Sequence, residues 1–102
     1  MKLFVIGASG FTGAEILRQT LERGWLARCL YRNPARIPAA LQEQAEWIAG
    51  DLADPGKLTE TLRGSDTLIC SASLGFGHAP GLVSACQAAG IQRAVFYSTT
   101  AI

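Results

Sequence analysis

The sequence predicts an α/β fold, a doubly wound parallel sheet of five strands in the order 3-2-1-4-5 with flanking helices. Three observations support this prediction. Short apolar segments alternate with segments of helical periodicity along the whole chain. The first apolar segment is continuous rather than alternating, which is typical of a parallel strand covered on both faces. A glycine-rich turn joins this strand to the first helix. We expect one domain over residues 1–102.

The first half of the chain contains the first two predicted strands and the helix between them. Residues 3–6 form the first strand, and the apolar stripe of the following helix stops at Gly24, a residue type that commonly ends helices. Residues 27–31 form the second strand. Asn33-Pro34 then begins a short helical segment that is broken, because Pro38 interrupts it.

The third and fourth strands enclose the second helix. Residues 46–49 form a brief third strand. Asp54 is expected to cap the helix that follows, with Pro55 in its first turn, and Gly64 ends that helix. Residues 67–70 form the fourth strand.

The last part of the chain supplies a loop, a helix and an edge strand. The glycine-rich segment SLGFGHAPG, residues 73–81, is expected to be a loop before a third helix that ends at Gly90. Residues 93–97 form the fifth strand. Its predicted outer side lacks a neighbour and carries apolar residues at positions 95–97, which favours pairing with another chain. We therefore expect self-association through this edge, or else that the 102 residues are a fragment of a longer protein.

The composition argues against several classes of protein. A net charge of +1 without a basic run gives no reason to expect nucleic acid or an anionic membrane surface as a partner. No apolar stretch approaches the ~20 residues of a membrane span, and MKLFVIG runs straight into a strand, so we expect no signal peptide. Cys29, Cys70 and Cys86 lack CxxC spacing and lie in apolar segments. They favour buried thiols in a cytoplasmic protein over a catalytic or metal site.

The segment Gly7-Ala-Ser-Gly10-Phe-Thr-Gly13 has GxxGxxG spacing between a strand and a helix. A glycine at 7 permits the tight turn, the lack of a side chain at Gly10 lets the backbone approach a pyrophosphate, and Gly13 lets the helix pack closely on the sheet. The partial positive charge of the helix amino terminus favours a phosphate there. The pattern predicts dinucleotide binding, and the alternative is a purely structural turn.

The residue after the second strand bears on which nucleotide binds. That strand end lies beside the adenosine ribose in this architecture, and a carboxylate there would favour NAD. The sequence has Arg32 instead, whose guanidinium could hold the 2′-phosphate of NADP through charge-assisted hydrogen bonds. NADP(H) is therefore favoured over NAD, unless Arg32 is merely a solvated arginine before a turn.

Four segments, GASGFTG, YRNP, GDLAD and AGIQRAVFYST, follow one another in an order that resembles the NmrA-like branch of the atypical short-chain dehydrogenases/reductases. The resemblance covers essentially all 102 residues, but only the amino-terminal half of a usual member. It implies a Rossmann fold that binds NAD(P). It also implies that a complete chain would be an oxidoreductase, or else a non-catalytic relative that senses the nucleotide and regulates a partner.

The resemblance also implies a set of cofactor contacts. Asp51 and Leu52 would border the adenine, although Asp51 could equally be a polar turn residue. The segment 71–73 would line the ribose and nicotinamide side, although small residues also simply fill a tight corner. The expected cofactor-binding residues are Gly7, Ser9, Gly10, Phe11, Thr12, Gly13, Arg32, Asp51, Leu52, Ser71, Ala72 and Ser73.

The catalytic part of the family's site is incomplete in this sequence. Relatives place a serine or threonine after the fifth strand to hydrogen-bond the substrate carbonyl, and Thr100 is the closest match. The tyrosine and lysine of the family's YxxxK motif, which transfer the proton, are absent from the 102 residues. His78, in the expected loop, is interpreted as a solvated residue rather than a substitute acid. We expect a domain that holds a cofactor without turning it over alone.

Overall fold

The computed structural model of the chain describes residues 1–7, 11–37, 39–50, 54–71 and 78–96. Parallel strands pair in the order β3-β2-β1-β4-β5, which confirms the predicted fold class and strand order. The strands are β1 (Lys2–Ile6), β2 (Leu26–Tyr31), β3 (Glu46–Ala49), β4 (Thr67–Cys70) and β5 (Arg93–Phe96). The helices are α1 (Phe11–Glu22), α2 (Pro55–Leu62) and α3 (His78–Ala89).

The sheet is covered by two hydrophobic clusters, because successive side chains of a strand point to opposite faces. On one face, Phe4 and Ile6 of β1 pack with buried residues of α2 and α3. On the other face, Val5 packs with Cys29 of β2 and Leu17 of α1. The continuous apolar run of β1 is thus buried on both sides, as the sequence predicted. Among the described residues, no helix is long and apolar enough to cross a membrane.

Gly24 terminates helix α1, as the sequence predicted, two residues after its last residue, Glu22. This glycine has a φ of 75°, in the left-handed region that residues with a Cβ rarely adopt. Its N–H donates to the Leu21 carbonyl (3.0 Å), and the Trp25 N–H donates to the Thr20 carbonyl (3.3 Å). These two bonds form a Schellman motif that satisfies carbonyls of the last helical turn and turns the chain toward β2.

Several predicted boundaries need adjustment. Strands β1 and β2 each begin one residue earlier than predicted, while residue 97, the predicted end of β5, lies outside the described residues. Helix α3 begins at His78, within the segment expected to be a loop. The glycine and proline there suggested a loop, but Pro80 lies in the first helical turn, where a missing N–H costs no intrahelical bond. The broken segment after β2 forms two 3-10 turns, Pro34–Arg36 and Ala39–Leu41.

Candidate functional site

The carboxyl ends of the first four strands lie at one edge of the sheet. The register pairs Ile6 with Leu30 of β2 and with Cys70 of β4, so these strands end level with one another. Strand β1 lies between β2 and β4, and successive connections lead away from it in opposite directions. This is the topological switch point, where the connections diverge and leave a crevice that can hold a ligand.

Gly7 forms the turn off β1 at this crevice. Its φ of 92° lies in the left-handed region, so a residue with a Cβ would be strained at this position. Helix α1 begins at Phe11 and continues through Thr12, and Gly13 in its first turn is buried. Since α1 follows the carboxyl end of β1, its amino-terminal N–H groups, which have no acceptor within the helix, belong to the same edge of the sheet.

Ser71 joins the end of β4 to the turn after β1. Its backbone N–H donates to the Ile6 carbonyl (2.9 Å), and its hydroxyl lies 3.3 Å from that oxygen and 3.4 Å from the Gly7 carbonyl. The hydroxyl thus donates toward the backbone of the turn and keeps its own oxygen lone pairs available. Of the residues predicted to contact a cofactor, Ser71 and Gly7 are therefore in direct contact with each other.

Two exposed arginines follow β2. Arg32 comes directly after the strand, and Asn33 caps the next 3-10 turn by accepting the Ala35 N–H (3.0 Å) on its side chain. Arg36 lies in that turn, and its N–H donates to the Asn33 carbonyl (3.0 Å). Within the described ranges, neither guanidinium forms an ion pair. Arg36 is thus a second exposed cation within four residues of Arg32.

Two further residues discussed from the sequence, Asp54 and His78, belong to the part of the chain that the structure describes. Asp54 caps α2, as predicted, because its carboxylate accepts the Lys57 N–H (3.2 Å). His78 is the first residue of α3, so its assignment to a loop was wrong. The following predicted residues lie outside the described part of the chain, and their roles stay predictions: Ser9, Gly10, Asp51, Leu52, Ala72, Ser73 and Thr100.

Gly50, which lies beside one of the segments that the structure does not describe, contributes to the carboxyl edge of the sheet. Gly50, which precedes Asp51, donates its N–H to the Tyr31 carbonyl (3.0 Å) and thereby extends the pairing of β3 with β2. A Cβ at Gly50 would lie 2.5 Å from Cδ1 of Leu30, so the packing there favours glycine. In the part of the chain that the structure describes, no three His, Cys, Asp or Glu side chains are grouped to bind a metal ion.

Comparison with known proteins identifies related chains. A family model described as NAD(P)H-binding matches residues 7–102. The photosystem II assembly factor Ycf39 of Guillardia theta is 36% identical over 110 residues, which cover 96% of this chain and 35% of that protein. A putative dihydroflavonol 4-reductase of Synechocystis sp. is 34% identical over 115 residues, covering 96% and 32%. This chain therefore spans about a third of the length of these relatives.

Solved structures share the fold. A short-chain dehydrogenase/reductase of Veillonella parvula superimposes with a TM-score of 0.86 at 20% identity, covering 97% of this chain and 47% of that one. A structure of a short-chain dehydrogenase/reductase from the same organism in complex with NADP gives a TM-score of 0.83 at 20% identity, covering 97% and 48%. At this identity the likeness establishes the fold alone.

Proposed function

We propose, because the chain belongs to the NAD(P)H-binding family, that it binds NADP(H) at the carboxyl edge of its sheet. The observation that carries the proposal is the junction of β1 with α1, where Gly7 has a positive φ and Gly13 is buried in the first helical turn. Small residues at both positions leave the backbone and the helix amino terminus accessible to a pyrophosphate. NAD(P) chemistry is hydride transfer at the nicotinamide.

The two ends of the cofactor would then extend along the edge in opposite directions. Toward β2 and β3, the adenine would lie near Asp51 and Leu52, with the ribose near Arg32. Toward β4, the nicotinamide side would lie near Ser71, Ala72 and Ser73. The contact between Ser71 and Gly7 supports this direction, because it brings the end of β4 against the turn that would hold the pyrophosphate.

Preference for NADP(H) over NAD(H) is the finer part of the proposal. Arg32 is exposed at the end of β2 and forms no ion pair within the described residues, so its guanidinium is available to a phosphate. Arg36 adds a second exposed cation on the same short segment. Hydrogen bonds to a charged group contribute about 1.5–3 kcal/mol, which corresponds to roughly a tenfold to hundredfold preference for the nucleotide that carries the 2′-phosphate.

A fluorescence titration of the 102-residue chain with NADPH and with NADH tests both parts. We expect NADPH to bind more tightly than NADH. Arg32→Ala should weaken the affinity for NADPH by roughly tenfold or more, while the affinity for NADH changes little. Arg93→Ala is the matched control, because Arg93 is also exposed but begins β5 at the opposite edge of the sheet. Equal affinity of wild type for the two nucleotides would contradict the NADP preference, and binding of neither would contradict the site itself.

For the whole protein we propose an oxidoreductase-type role in which Thr100 hydrogen-bonds a substrate carbonyl. One relative is named as a putative reductase, which supports this role. Another is named as an assembly factor, which supports the alternative of a domain that binds nucleotide and acts on a partner without catalysis. The chain spans about a third of these relatives, so the two roles are separated by whether a longer form of the protein carries the proton-transferring residues. A YxxxK motif there favours catalysis, and its absence favours the regulatory role.

A cytoplasmic location is also proposed. Its support is that Cys29, Cys70 and Cys86 are all buried thiols, which suit a reducing compartment. A related protein of Arabidopsis thaliana is named as chloroplastic.

A further inference from the structure

A capped turn directly follows the end of β2. Asn33 has extended backbone angles (φ −117°, ψ 110°), and its Oδ1 accepts the N–H of Ala35 (3.0 Å). Pro34, at the first position of the 3-10 turn, has no N–H of its own, and its ring holds φ close to the helical value. The side chain of Asn33 is therefore part of the turn and defines where it begins.

The backbone donors of this turn are used within it. The N–H of Ala35 donates to the side chain of Asn33, and the N–H of Arg36 donates to the Asn33 carbonyl (3.0 Å). The N–H of Ile37 donates to the Pro34 carbonyl (3.2 Å). An anion beside this turn therefore has to be bound by side chains rather than by these three N–H groups, in contrast to an anion at the amino terminus of an α-helix.

The cap also determines the orientation of the Asn33 amide. An amide side chain has one acceptor oxygen and one nitrogen with two N–H donors. Because the Ala35 N–H needs an acceptor, the oxygen faces the turn, and Nδ2 retains both of its donors. Within the described ranges, no acceptor bonds to Nδ2. Asn33 can thus cap the turn with its oxygen and donate to a ligand with its nitrogen.

Two cations flank this amide. Arg32 precedes Asn33 in the chain, and the hydrogen bond from Arg36 keeps the Cα atoms of Asn33 and Arg36 within about 7 Å of each other. All three residues are exposed. The sequence has no acidic residue between Glu22 and Glu43, so the segment itself is positively charged. Two guanidinium groups with a neutral N–H donor between them suit the oxygens of a phosphate monoester.

Asparagine at this position is informative, because asparagine and aspartate cap equally well. At α2 the chain uses aspartate, and the Asp54 carboxylate accepts the Lys57 N–H (3.2 Å). At residue 33 a carboxylate would also cap the turn, but it would neutralise a neighbouring arginine and repel a phosphate. It would also lack the two N–H donors of the amide. The turn can therefore form without the amide, whereas binding of a phosphate benefits from it.

We propose that Asn33 is a specificity-determining residue of the nucleotide site, which donates from Nδ2 to the 2′-phosphate of NADP(H). Through Oδ1 the same side chain fixes the turn that carries Arg36 and follows Arg32. This inference rests on the proposed binding of NADP(H) at the carboxyl edge of the sheet. It adds a neutral donor to the two arginines, and it explains why the cap carries no negative charge.

Asn33→Asp separates the two roles of the side chain. The carboxylate retains the cap, so we expect the Tm to stay close to that of wild type. In fluorescence titrations the affinity for NADPH should fall by roughly tenfold or more. The affinity for NADH should be unchanged or higher, since a carboxylate can accept a hydrogen bond from a free 2′-hydroxyl. A variant that keeps the wild-type preference for NADPH would overturn the inference.

Gln44→Ala is the matched control for the loss of a turn contact. Nε2 of Gln44 donates to the Ala40 carbonyl (2.8 Å) in the second 3-10 turn, and Gln44 lies two residues before β3, at the opposite edge of the sheet. Asn33→Ala and Gln44→Ala each remove one side-chain bond from a turn, but only Asn33→Ala should reduce the preference for NADPH over NADH. The same preference in both variants would show that Asn33 serves the turn alone, against the inference.

Competition with adenosine 2′,5′-bisphosphate and adenosine 5′-monophosphate identifies the group that Asn33 contacts, because these two compounds differ only in the 2′-phosphate. Asn33→Ala should weaken the affinity for the bisphosphate by roughly tenfold and leave the affinity for the monophosphate unchanged. Equal weakening of both would contradict a contact with the 2′-phosphate. A wild type that binds neither NADPH nor NADH would overturn the proposed function and this inference with it, whereas an unchanged preference in Asn33→Asp overturns the inference alone.

Discussion

Cys29 illustrates how a single position in this sheet is specified by packing. It lies in the middle of β2, is fully buried, and packs in the cluster that contains Val5 and Leu17. Burial raises the pKa of its thiol to about 12, because the thiolate would lose its hydration. The pKa of the Cys86 thiol is also raised, mainly because the thiol is partly buried and to a smaller extent because Cys70 lies nearby. Thiols with raised pKa values are poor nucleophiles and metal ligands at neutral pH, which agrees with their interpretation as core residues.

The raised pKa of Cys29 predicts an alkaline loss of stability. In the unfolded chain the thiol ionises near 9.0, whereas in the folded chain it stays protonated until about 12. The unfolded state therefore binds fewer protons between these values. The free energy of unfolding should fall with pH there, by at most about 1.4 kcal/mol per pH unit from this residue, and be unaffected by it below 9.0.

Urea unfolding at a series of pH values checks this expectation. Cys29→Ala should be less stable at neutral pH because it leaves a cavity, yet its stability should fall less steeply above pH 9.0. Parallel pH profiles for wild type and Cys29→Ala would contradict the assignment of the alkaline slope to this thiol.

Single residues also show where sequence analysis stops. Gly24 and Asp54 were predicted correctly, because a helix end depends on a few adjacent residues. Adjacent residues do not show which arginine of the β2 region, Arg28 or Arg32, is exposed and which is bonded within the protein. Arg32 is exposed, whereas Arg28 bonds to carbonyls of residues 61 and 63, which are more than thirty positions away. Only the packing of α2 against the sheet decides that difference.

At the scale of elements, Arg28 connects three of them. It lies on β2, and its Nε donates to the Glu46 carboxylate of β3 (3.0 Å). Its Nη1 donates to the carbonyls of Thr61 and Arg63 at the end of α2, at 3.0 Å each. Carbonyls in the last turn of a helix have no intrahelical donor and carry a partial negative charge, so a guanidinium is a favourable partner. Arg28 thereby fixes the end of α2 against the sheet.

Replacing Arg28 tests this connection. Arg28→Met keeps the length of the side chain but removes its donors, so two helix carbonyls lose their partner. We expect the free energy of unfolding to fall by roughly 1–3 kcal/mol. Arg18→Met is the matched control, because Arg18 is exposed on α1 and its ion pair among the described residues is with Glu15 at the helix surface. Its effect should stay within about 0.5 kcal/mol. Equal losses in the two variants would show that the contacts of Arg28 are not specific.

The elements themselves were largely predictable because each has a strong local pattern. The third and fourth strands match their predicted bounds, and the sequence predicted each of the α-helices that the structure describes. The start of α3 was missed because proline and glycine signal a turn by composition alone. Pro80 is tolerated because it lies in the first turn of α3, where N–H groups have no acceptor within the helix. The position of Pro80 in the turn depends on where the helix begins, and the local composition does not give that residue.

At the scale of the whole molecule, topology assembles the candidate site. Gly7, Arg32 and Ser71 are far apart in sequence, and each follows a strand that ends at the same edge. Recognising the alternation of strands and helices was therefore sufficient to predict that they gather there. The conformations of Ser9 and Gly10 do not follow from the topology, since a glycine-rich turn permits several backbone conformations.

Ligand-linked stability tests whether this assembled edge binds a nucleotide in the folded chain. A ligand that binds only the native state stabilises it by about 2.7 kcal/mol at a hundred times its Kd. For a domain of this size, we expect saturating NADPH to raise the Tm by roughly 10–20 °C. Gly10→Trp should abolish the shift, because its side chain would fill the space where the backbone approaches the pyrophosphate.

The comparison between variants separates a binding loop from a structural turn. Gly56→Ala is the control, because Gly56 lies in α2 and a Cβ there makes only an ordinary contact at 3.8 Å. Its Tm should rise with NADPH as in wild type. If Gly10→Trp folds with the Tm of unliganded wild type and no longer responds to NADPH, the loop is functional. If wild type and Gly10→Trp show the same Tm in saturating NADPH, the GxxGxxG segment serves the fold alone, because a ligand that bound the native loop would have separated them.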